Sequence, residues 1–312
     1  MPAFAFLFPG QGSQSVGMLD AWGDHPAVWQ TLLEASEVLR EDIAGLIQRG
    51  PKEALELTTN TQPLMLTAAV ACHRAWRVEG GPEPAAVAGH SLGEYSALVA
   101  AGALTLSQAL PLVRLRAKAM QDAVPVGAGA MAAIVGLDAA VIGEVCAAVA
   151  AETDRIVAPA NYNDHKQTVI AGHKEAVDLA CERLMAVGAK RALLLAVSAP
   201  FHSALMKPAA ERLREYLAGV TLKAPRIPVL NNIDVAVQTE PEAIKDALYR
   251  QAFGPVRWVE LVQALRARGL THAFECGPGR VLSGLVKRID PEMVTTTVLD
   301  PGSLKLALEL LV

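Results

Sequence analysis

A serine flanked by glycines is the first residue with the setting of a nucleophile. Ser91 lies in the segment GHSLG at positions 89–93, which matches the pattern G-x-S-x-G. An apolar strand is predicted before it, over 85–88, and a helix after it, over 91–101. In that context the glycines allow a sharp turn that leaves the serine hydroxyl exposed. The segment therefore predicts a nucleophilic serine at a strand-to-helix turn.

The same serine also fits a simpler role, as the cap of the helix that follows it. Ser91 and Glu94 have the spacing of a capping box. A cap alone, however, has no use for Gly93 in the first helical turn, where glycine costs about 1 kcal/mol relative to alanine. We therefore favour the nucleophile over the cap.

A serine hydroxyl needs a base within hydrogen-bonding distance, because it is a weak nucleophile at neutral pH. His90 adjoins Ser91, but neighbouring side chains at a sharp turn point apart. His202 lies in the loop SAPFHS at 198–203, after a predicted strand over 191–197. This loop joins two predicted domains, where clefts form, so His202 is the favoured base. His25, His73 and His173 lie on predicted helices or at their ends and suit packing or surface roles. His165 lies in a polar turn, and His272 lies at the start of a predicted strand.

One arginine falls on the apolar side of a helix predicted around 107–121. Arg116 shares that side with four apolar residues: Ala109, Leu112, Val113 and Met120. A buried guanidinium must meet an anion, because an unpaired buried charge is too costly. At this point two anions remain open, an internal carboxylate or the carboxylate of a bound substrate. Arg114 and Lys118 project roughly opposite and are predicted to be solvated.

Strands and helices alternate along most of the chain, which predicts an α/β fold with a mainly parallel sheet covered on both faces. Over 126–198 the predicted order is β-α-β-β-α-β, the ferredoxin-like unit. We therefore predict a large α/β-hydrolase-like domain, residues 1–125 and 199–312, with a small ferredoxin-like domain, residues 126–198, inserted into it. Later in the chain the pattern predicts a strand over 227–231 and a helix over 255–268.

Composition excludes several classes of protein. The formal net charge of the 312 residues is -4, so no overall basic field attracts nucleic acid or an anionic membrane. No lysine or arginine precedes Arg40, so the apolar start lacks the positive region of a signal peptide. The apolar stretch over 98–106 is too short to span a membrane. The four cysteines are scattered, as expected of buried thiols in a reducing compartment. We expect a soluble, cytoplasmic protein.

A set of segments along nearly the whole chain resembles one family, the malonyl-CoA:acyl carrier protein transacylases of fatty-acid synthesis and the related acyltransferase domains of polyketide synthases. The segments are FPGQGSQ (8–14), GHSLGEY (89–95), MAAI (131–134), VIAG (169–172), FHSALM (201–206), GPVRW (254–258) and GPG (277–279). The first of them does not complete a dinucleotide-binding loop G-x-G-x-x-G, because position 15 is Ser15.

The resemblance implies a role for each matching residue. His202 would be the base for Ser91, and the main-chain carbonyl of Gln251, rather than an aspartate, would hold the other imidazole nitrogen. The backbone N–H groups of Gln11 and Leu92 would form the oxyanion hole, which stabilises the negative charge of the tetrahedral intermediate.

The resemblance also implies the substrate and the partner. Arg116 would bind the free carboxylate of a malonyl group, and Asn161 and Gln62 would line the pocket. The implied reaction is a ping-pong transfer from malonyl-CoA to the phosphopantetheine thiol of acyl carrier protein, with no metal and no bound cofactor. We expect a monomer with an acidic carrier partner and neither nucleic acid nor membrane. Charged residues that could form a basic docking patch, or simply solvated faces, are Lys190, Arg191, Arg212, Arg214, Lys287 and Arg288.

Three other functions remain open. A stand-alone polyketide or malonate-decarboxylase acyltransferase would use the same residues, and Phe201 before His202 resembles malonyl-selective polyketide domains. A serine esterase or thioesterase of α/β-hydrolase type would need a carboxylate in the triad and no inward arginine. A catalytically idle scaffold would lack the nucleophile or the base, and both are present.

Overall fold

The computed structural model describes residues 2–312, which contain nine strands and thirteen α-helices. The strands are β1 (Phe4–Phe8), β2 (Ala86–Gly89), β3 (Gly129–Val135), β4 (Val157–Asp164), β5 (Gln167–His173), β6 (Arg191–Leu194), β7 (Val229–Leu230), β8 (His272–Cys276) and β9 (Val294–Val298). The helices are α1 (Pro26–Leu39), α2 (Ile43–Arg49), α3 (Lys52–Glu56), α4 (Thr58–Val78), α5 (Gly93–Ala100), α6 (Leu106–Asp122), α7 (Ala139–Thr153), α8 (Lys174–Ala186), α9 (Lys207–Ala218), α10 (Pro241–Phe253), α11 (Trp258–Ala267), α12 (Val281–Ile289) and α13 (Pro301–Glu309).

The larger sheet is parallel throughout, with the strand order β7-β2-β1-β8-β9. Its central strand β1 is buried on both faces. Phe4, Phe6 and Phe8 join the apolar cluster on one face, and Ala5 and Leu7 join the cluster on the other. Burial on both faces explains why β1 is a continuous apolar run. Because the strands are parallel, the loops that follow β1, β2, β7 and β8 all emerge at one edge of the sheet, where ligands bind in open α/β sheets.

The smaller sheet is antiparallel, with the order β4-β5-β3-β6. Ala132 and Ile134 of β3 pack against α7 and α8 on one face. Met131 and Ala133 belong to a separate apolar cluster on the other face, against which Phe201 packs. The predicted fold class, a parallel α/β sheet plus a ferredoxin-like unit, is confirmed. The domain bounds at 126 and 198 stay a prediction.

Backbone and side-chain contacts join the two sheets. Val256 runs alongside β4, where its N–H donates to the Ala160 carbonyl at 2.9 Å and its carbonyl accepts from the Tyr162 N–H at 2.9 Å. Nearby, Arg288 of α12 forms an ion pair with the buried Asp164 of β4 at 2.6 Å. These contacts join β4 of the small sheet to the larger unit.

Some predicted elements have different extents. The helix predicted over 255–268 begins only at Trp258, because Val256 is extended beside β4. The strand predicted over 227–231 is shortened to Val229–Leu230, since Pro228 has no N–H to donate to a sheet. The strand β9 was not predicted, because its centre is a run of threonines rather than apolar residues.

Within residues 2–312, no helix combines the length and apolar character needed to cross a membrane. In the same part of the chain, no group of three or more His, Cys, Asp or Glu side chains is arranged to hold a metal ion. Three of the cysteines are buried and Cys181 is partly buried, and all are free thiols.

Candidate active site

Ser91 lies on the turn between β2 and α5, at the carboxyl edge of the parallel sheet. Its φ of 51° is in the left-handed region, which is uncommon for a residue other than glycine. A Cβ at Gly89 would lie 1.9 Å from the carbonyl carbon of Gly93, and one at Gly93 would lie 2.0 Å from the Phe8 carbonyl oxygen. Only glycines fit this approach of strand to helix, as the sequence predicted. Ser91 does not cap α5, which begins at Gly93 without a side-chain cap.

His202 meets this serine from the loop that leaves the small sheet. The Ser91 Oγ and His202 Nε2 atoms are 2.7 Å apart. On the other side of the ring, Nδ1 donates to the carbonyls of Gln251 at 2.9 Å and Gly254 at 3.1 Å. Because carbonyl oxygens only accept, Nδ1 carries the proton and Nε2 keeps a lone pair for the serine. The predicted carbonyl of Gln251 is therefore in contact with the ring.

The electrostatic setting keeps the His202 imidazole neutral. Burial, followed by the charge of Arg116, lowers the pKa of His202 to about 3, against weaker opposing effects of the Gln251 and Gly254 carbonyls. A neutral ring at neutral pH is the form that accepts a proton from Ser91.

Arg116 reaches the same hydroxyl from α6. It is 3% exposed, and its Nη2 donates to Ser91 Oγ at 3.1 Å and to Gln251 Oε1 at 3.0 Å. Its Nη1 donates to Gln62 Oε1 at 2.7 Å. The Tyr95 ring lies 5.4 Å from the guanidinium carbon. In residues 2–312 no carboxylate forms an ion pair with Arg116, so the alternative of an internal salt bridge is not realised.

Gln11 and Leu92 present free amides beside the serine. Within residues 2–312, neither backbone N–H donates to a protein acceptor. The Gln11 side chain is tied back to α4, because its Oε1 accepts a hydrogen bond from the Thr58 hydroxyl at 2.8 Å. The next residue, Gly12, has a φ of 109°, a conformation that favours glycine. Gln11 and Leu92 line the same cavity as Ser91, so their N–H groups are available to donate there.

A cavity of about 190 Å³ brings these groups together between the two sheets. The lining residues from the larger unit include Gln11, Gln62, Ser91, Arg116 and His202. The lining residues from the small unit are Met131, Asn161, Asn163, Val169, Leu195 and Val197. Gln62 and Asn161 both line the cavity, whereas Gln251 is absent from its lining and contacts Arg116 and His202 from behind the wall.

Asn232 is a site residue that the sequence reasoning missed. Its Oδ1 accepts from the Ser91 N–H at 2.7 Å, and its Nδ2 donates to the Gly89 carbonyl at 2.7 Å. One carboxamide thus clamps both sides of the turn on which the serine lies. The available signal was the pair of asparagines at 231–232, which follows a strand of a parallel sheet where functional side chains collect.

His90 has a structural role. Its Nε2 contacts Asn163 Oδ1 at 3.0 Å, and its ring lies 5.4 Å from that of Trp258. This histidine therefore links the turn before Ser91 to β4 of the small sheet.

One expectation about surface charge needs correction. Arg114, predicted to be solvated, donates to the Thr59 carbonyl and to Asn60 Oδ1 at 2.9 Å each, because α6 packs beside the start of α4. It also forms an ion pair with Glu41, whereas Lys118 is exposed as predicted. Of the residues suggested for a basic patch, three are ion-paired: Arg212 with Asp122, Arg214 with Glu211, and Arg288 with Asp164.

Comparison with known proteins places this geometry in a family. Residues 5–288 match the family model described as an acyl transferase domain. A malonyl CoA-acyl carrier protein transacylase of Escherichia coli (strain K12) is 51% identical over 311 residues, which cover 99% of this chain and 100% of the relative. The enzyme of that name from Bacillus subtilis (strain 168) is 46% identical over 312 residues, 100% of this chain and 98% of the relative.

Solved structures agree with the sequence relatives. An acyl-carrier-protein S-malonyltransferase from Burkholderia pseudomallei 1710b superposes with a TM-score of 0.97 at 61% identity, covering 98% of this chain and 99% of that one. A malonyl-transacylase in complex with its type II PKS acyl-carrier protein superposes with a TM-score of 0.96 at 51% identity, covering 98% and 99%. This chain therefore belongs to the acyl transferase family, among the malonyl CoA-acyl carrier protein transacylases.

Proposed function

We propose that this chain transfers a malonyl group from malonyl-CoA to the phosphopantetheine thiol of an acyl carrier protein, through a malonyl ester on Ser91. The observation that carries the proposal is that a base and a cation both contact the Ser91 hydroxyl. Ser91 Oγ lies 2.7 Å from His202 Nε2 and 3.1 Å from Arg116 Nη2. A nucleophile and a base serve any acyl transfer, but a cation without a carboxylate partner favours an acyl group that ends in a carboxylate.

The first half-reaction loads the serine. The malonyl carboxylate binds Arg116, and Ser91 Oγ attacks the thioester carbonyl carbon while its proton passes to His202 Nε2. The oxyanion accepts hydrogen bonds from the Gln11 and Leu92 amides, a kind of contact worth about 3 kcal/mol per donor. The carbon–sulfur bond then breaks, and the departing coenzyme A sulfur takes the proton from the imidazolium.

The second half-reaction transfers the malonyl group from Ser91 to the carrier by the reverse route. The phosphopantetheine thiol of the carrier gives its proton to His202, and its sulfur attacks the malonyl ester. The carbon–oxygen bond breaks, Ser91 recovers the proton, and the malonyl thioester leaves on the carrier. The prosthetic group belongs to the carrier, so we propose that the chain needs neither a metal nor a cofactor of its own and acts as a single copy.

Substrate binding would also strengthen the base. The charge of Arg116 is the second cause of the low pKa of His202. A carboxylate on Arg116 offsets that charge, so the pKa of His202 rises when malonyl-CoA is bound. Acetyl-CoA has no carboxylate and leaves the ring in its weaker state. Selectivity for malonyl groups would thus be expressed in the chemical step as well as in binding.

We propose fatty-acid synthesis as the pathway that receives the malonyl carrier. The resemblance of the sequence segments to the transacylases of fatty-acid synthesis favours this role. The relative that is bound to a type II PKS acyl-carrier protein supports a polyketide carrier as the second candidate. A thioesterase is disfavoured, because the His202 Nδ1 faces two carbonyls where such an enzyme would have a carboxylate.

Initial rates test the proposal. Malonyl-CoA is varied at several fixed concentrations of carrier protein, and both malonyl-carrier and free malonate are measured. We expect parallel double-reciprocal lines, as for a ping-pong reaction, with malonyl-carrier as the main product. Carrier without phosphopantetheine is the control and should accept nothing. Intersecting lines, or free malonate as the main product, would contradict the proposal. To decide the pathway, a fatty-acid carrier and a polyketide carrier are assayed in parallel and their rates are compared.

A further inference from the structure

A buried carboxylate lies behind the site and has no role in the chemistry described so far. Glu94, in the first turn of α5, is 2% exposed. Its Oε2 accepts hydrogen bonds from the Asn232 N–H at 2.9 Å and from Gln251 Nε2 at 3.0 Å. In the described part of the chain, no lysine or arginine pairs with it directly. Because a buried carboxylate without a cation is costly, its presence calls for a physical reason.

The carboxamide of Gln251 connects this carboxylate to the cation of the site. Its Nε2 donates to Glu94 and also to the Ser91 carbonyl at 3.0 Å, while its Oε1 accepts from Arg116 Nη2 at 3.0 Å. The two ends of a carboxamide have nearly the same shape and differ only as donor and acceptor. An ionised carboxylate only accepts and a guanidinium only donates, so a single orientation of the Gln251 carboxamide satisfies both neighbours.

The arrangement places the counter-charge one residue away from Arg116. The guanidinium itself touches two neutral amide oxygens, those of Gln62 and Gln251. A carboxylate at either place would neutralise the cation and compete with an anionic substrate. With the carboxamide between them, Glu94 still stabilises the positive charge, while Arg116 remains available to a second anion.

The same glutamine also supports the base, because its main-chain carbonyl accepts from His202 Nδ1 at 2.9 Å. The residue that orients Gln251 therefore acts on both partners of Ser91. Burial raises the pKa of Glu94 to about 7, and the hydrogen bonds from Gln251 and Asn232 oppose that rise. Assays at pH 8 keep this carboxyl mainly ionised.

We propose that Glu94 is a positioning residue for substrate selection, which fixes the Gln251 carboxamide so that its oxygen holds Arg116 ready for the malonyl carboxylate. This inference rests on the proposed function, because it names how that site distinguishes malonyl from acyl groups without a carboxylate. It predicts that a change at Glu94 affects malonyl transfer far more than acetyl transfer.

The test is Glu94→Gln, which keeps the size of the side chain but removes its charge and its acceptor-only character. We expect the ratio of kcat/KM for malonyl-CoA to that for acetyl-CoA to fall about 10-fold at pH 8, as is typical for residues coupled in one network. Glu275→Gln is the matched control. Glu275 is a second buried carboxylate, but it binds the Ser283 N–H at 2.8 Å and contacts neither Gln251 nor Arg116. The control should leave the ratio unchanged.

A double-mutant cycle separates positioning from a general structural role. If Glu94 acts through Arg116, then Glu94→Gln in an Arg116→Ala background leaves the malonyl-to-acetyl ratio where Arg116→Ala alone put it. Equal losses for the two substrates in the single variant, or a further fall in the ratio in the double variant, would overturn the proposal.

A second variant covers the case in which Glu94→Gln does not fold. Gln251→Met keeps the main-chain carbonyl but removes the carboxamide, and it should lower the same ratio by a similar factor; an unchanged ratio would overturn the proposal. Wild-type enzyme that transfers no malonyl group at all would count against the proposed function. If the wild-type enzyme is active and malonyl-selective but neither variant changes the malonyl-to-acetyl ratio, the result would count only against the role of Glu94.

Discussion

The two walls of the cleft are built from different sheets and carry different kinds of side chain. The edge of the parallel sheet and the helix α6 supply Ser91 and Arg116, and His202 lies in the loop that returns to this unit. The antiparallel sheet and the strand ends beside it supply apolar side chains and amides: Met131, Asn161, Asn163, Val169, Leu195 and Val197. The contrast indicates that one wall performs the chemistry and the other sets the shape of the space.

The largest effect is expected on the chemical wall. In residues 2–312, His202 is the only side chain placed to take the Ser91 proton. In His202→Ala, acylation by malonyl-CoA should therefore slow about 10⁴-fold. Rapid-quench measurement of coenzyme A release in one turnover gives this rate. An unchanged melting temperature would show that the fold is retained. A loss of less than about tenfold would mean that another group accepts the proton.

Arg116→Ala should have the next largest effect, and a selective one. Removing one partner of a buried charged contact costs about 2–5 kcal/mol, so kcat/KM for malonyl-CoA should fall at least about 30-fold. The value for acetyl-CoA should not fall, because the charge that lowers the pKa of His202 is removed as well. Arg114→Ala is the matched control, since that arginine lies on the same helix but binds Thr59 and Asn60 instead of the cavity. Equal losses for both substrates would contradict the role of Arg116.

The shape-setting wall should show a smaller effect of a different kind. Val169→Ala removes two methyl groups from the cavity lining, and Val169 is 5% exposed. Malonyl transfer should stay within about threefold, while transfer of the bulkier methylmalonyl group should rise relative to it by up to about tenfold. Competition between the two thioesters, with the carrier products separated by mass, measures the ratio. If Val169→Ala lost as much malonyl transfer as Arg116→Ala does, the two walls would not have the different roles assigned to them.

The smallest effect concerns the stability of the fold, and it depends on two histidines, His202 and His73. Burial holds the pKa of His202 at about 3 and that of His73 at about 4, both below the ordinary 6.5. Between pH 6.5 and 4 the unfolded chain binds more protons than the folded one, so stability falls as the pH is lowered through this window. His202→Gln should therefore show a melting temperature that depends less on pH than that of wild type. Equal pH dependence of the melting temperature in wild type and His202→Gln would contradict the argument.

Local features of the sequence were enough to predict the nucleophile and the side of the helix that carries the arginine. The G-x-S-x-G turn depends on residues next to Ser91, and the inward face of α6 follows from its periodicity. The β-α-β-β-α-β order likewise identified the small sheet. The ends of elements that depend on distant partners were predicted less well. The helix predicted from residue 255 is one case, because Val256 is held in an extended conformation by β4 rather than by its neighbours in sequence.

The hydrogen-bond network behind the site was not predictable in this way. Arg116 and Gln251 are 135 residues apart in sequence, and Glu94 and Asn232 are 138 apart. No periodicity or motif connects such pairs, because folding alone brings them together. The carbonyl of Gln251 and the Gln11 amide were therefore expected only from family resemblance, and Glu94 and Asn232 were not singled out as site residues at all.

The central claim is that Ser91 carries the malonyl group. Mass spectrometry of the intact protein after mixing with malonyl-CoA, followed by peptide mapping, tests it most directly. Wild-type protein should gain one malonyl group on the peptide that contains Ser91 and lose it when carrier protein is added, and Ser91→Ala should gain none. A Ser91→Ala protein that still takes up a malonyl group and passes it to the carrier would contradict the account.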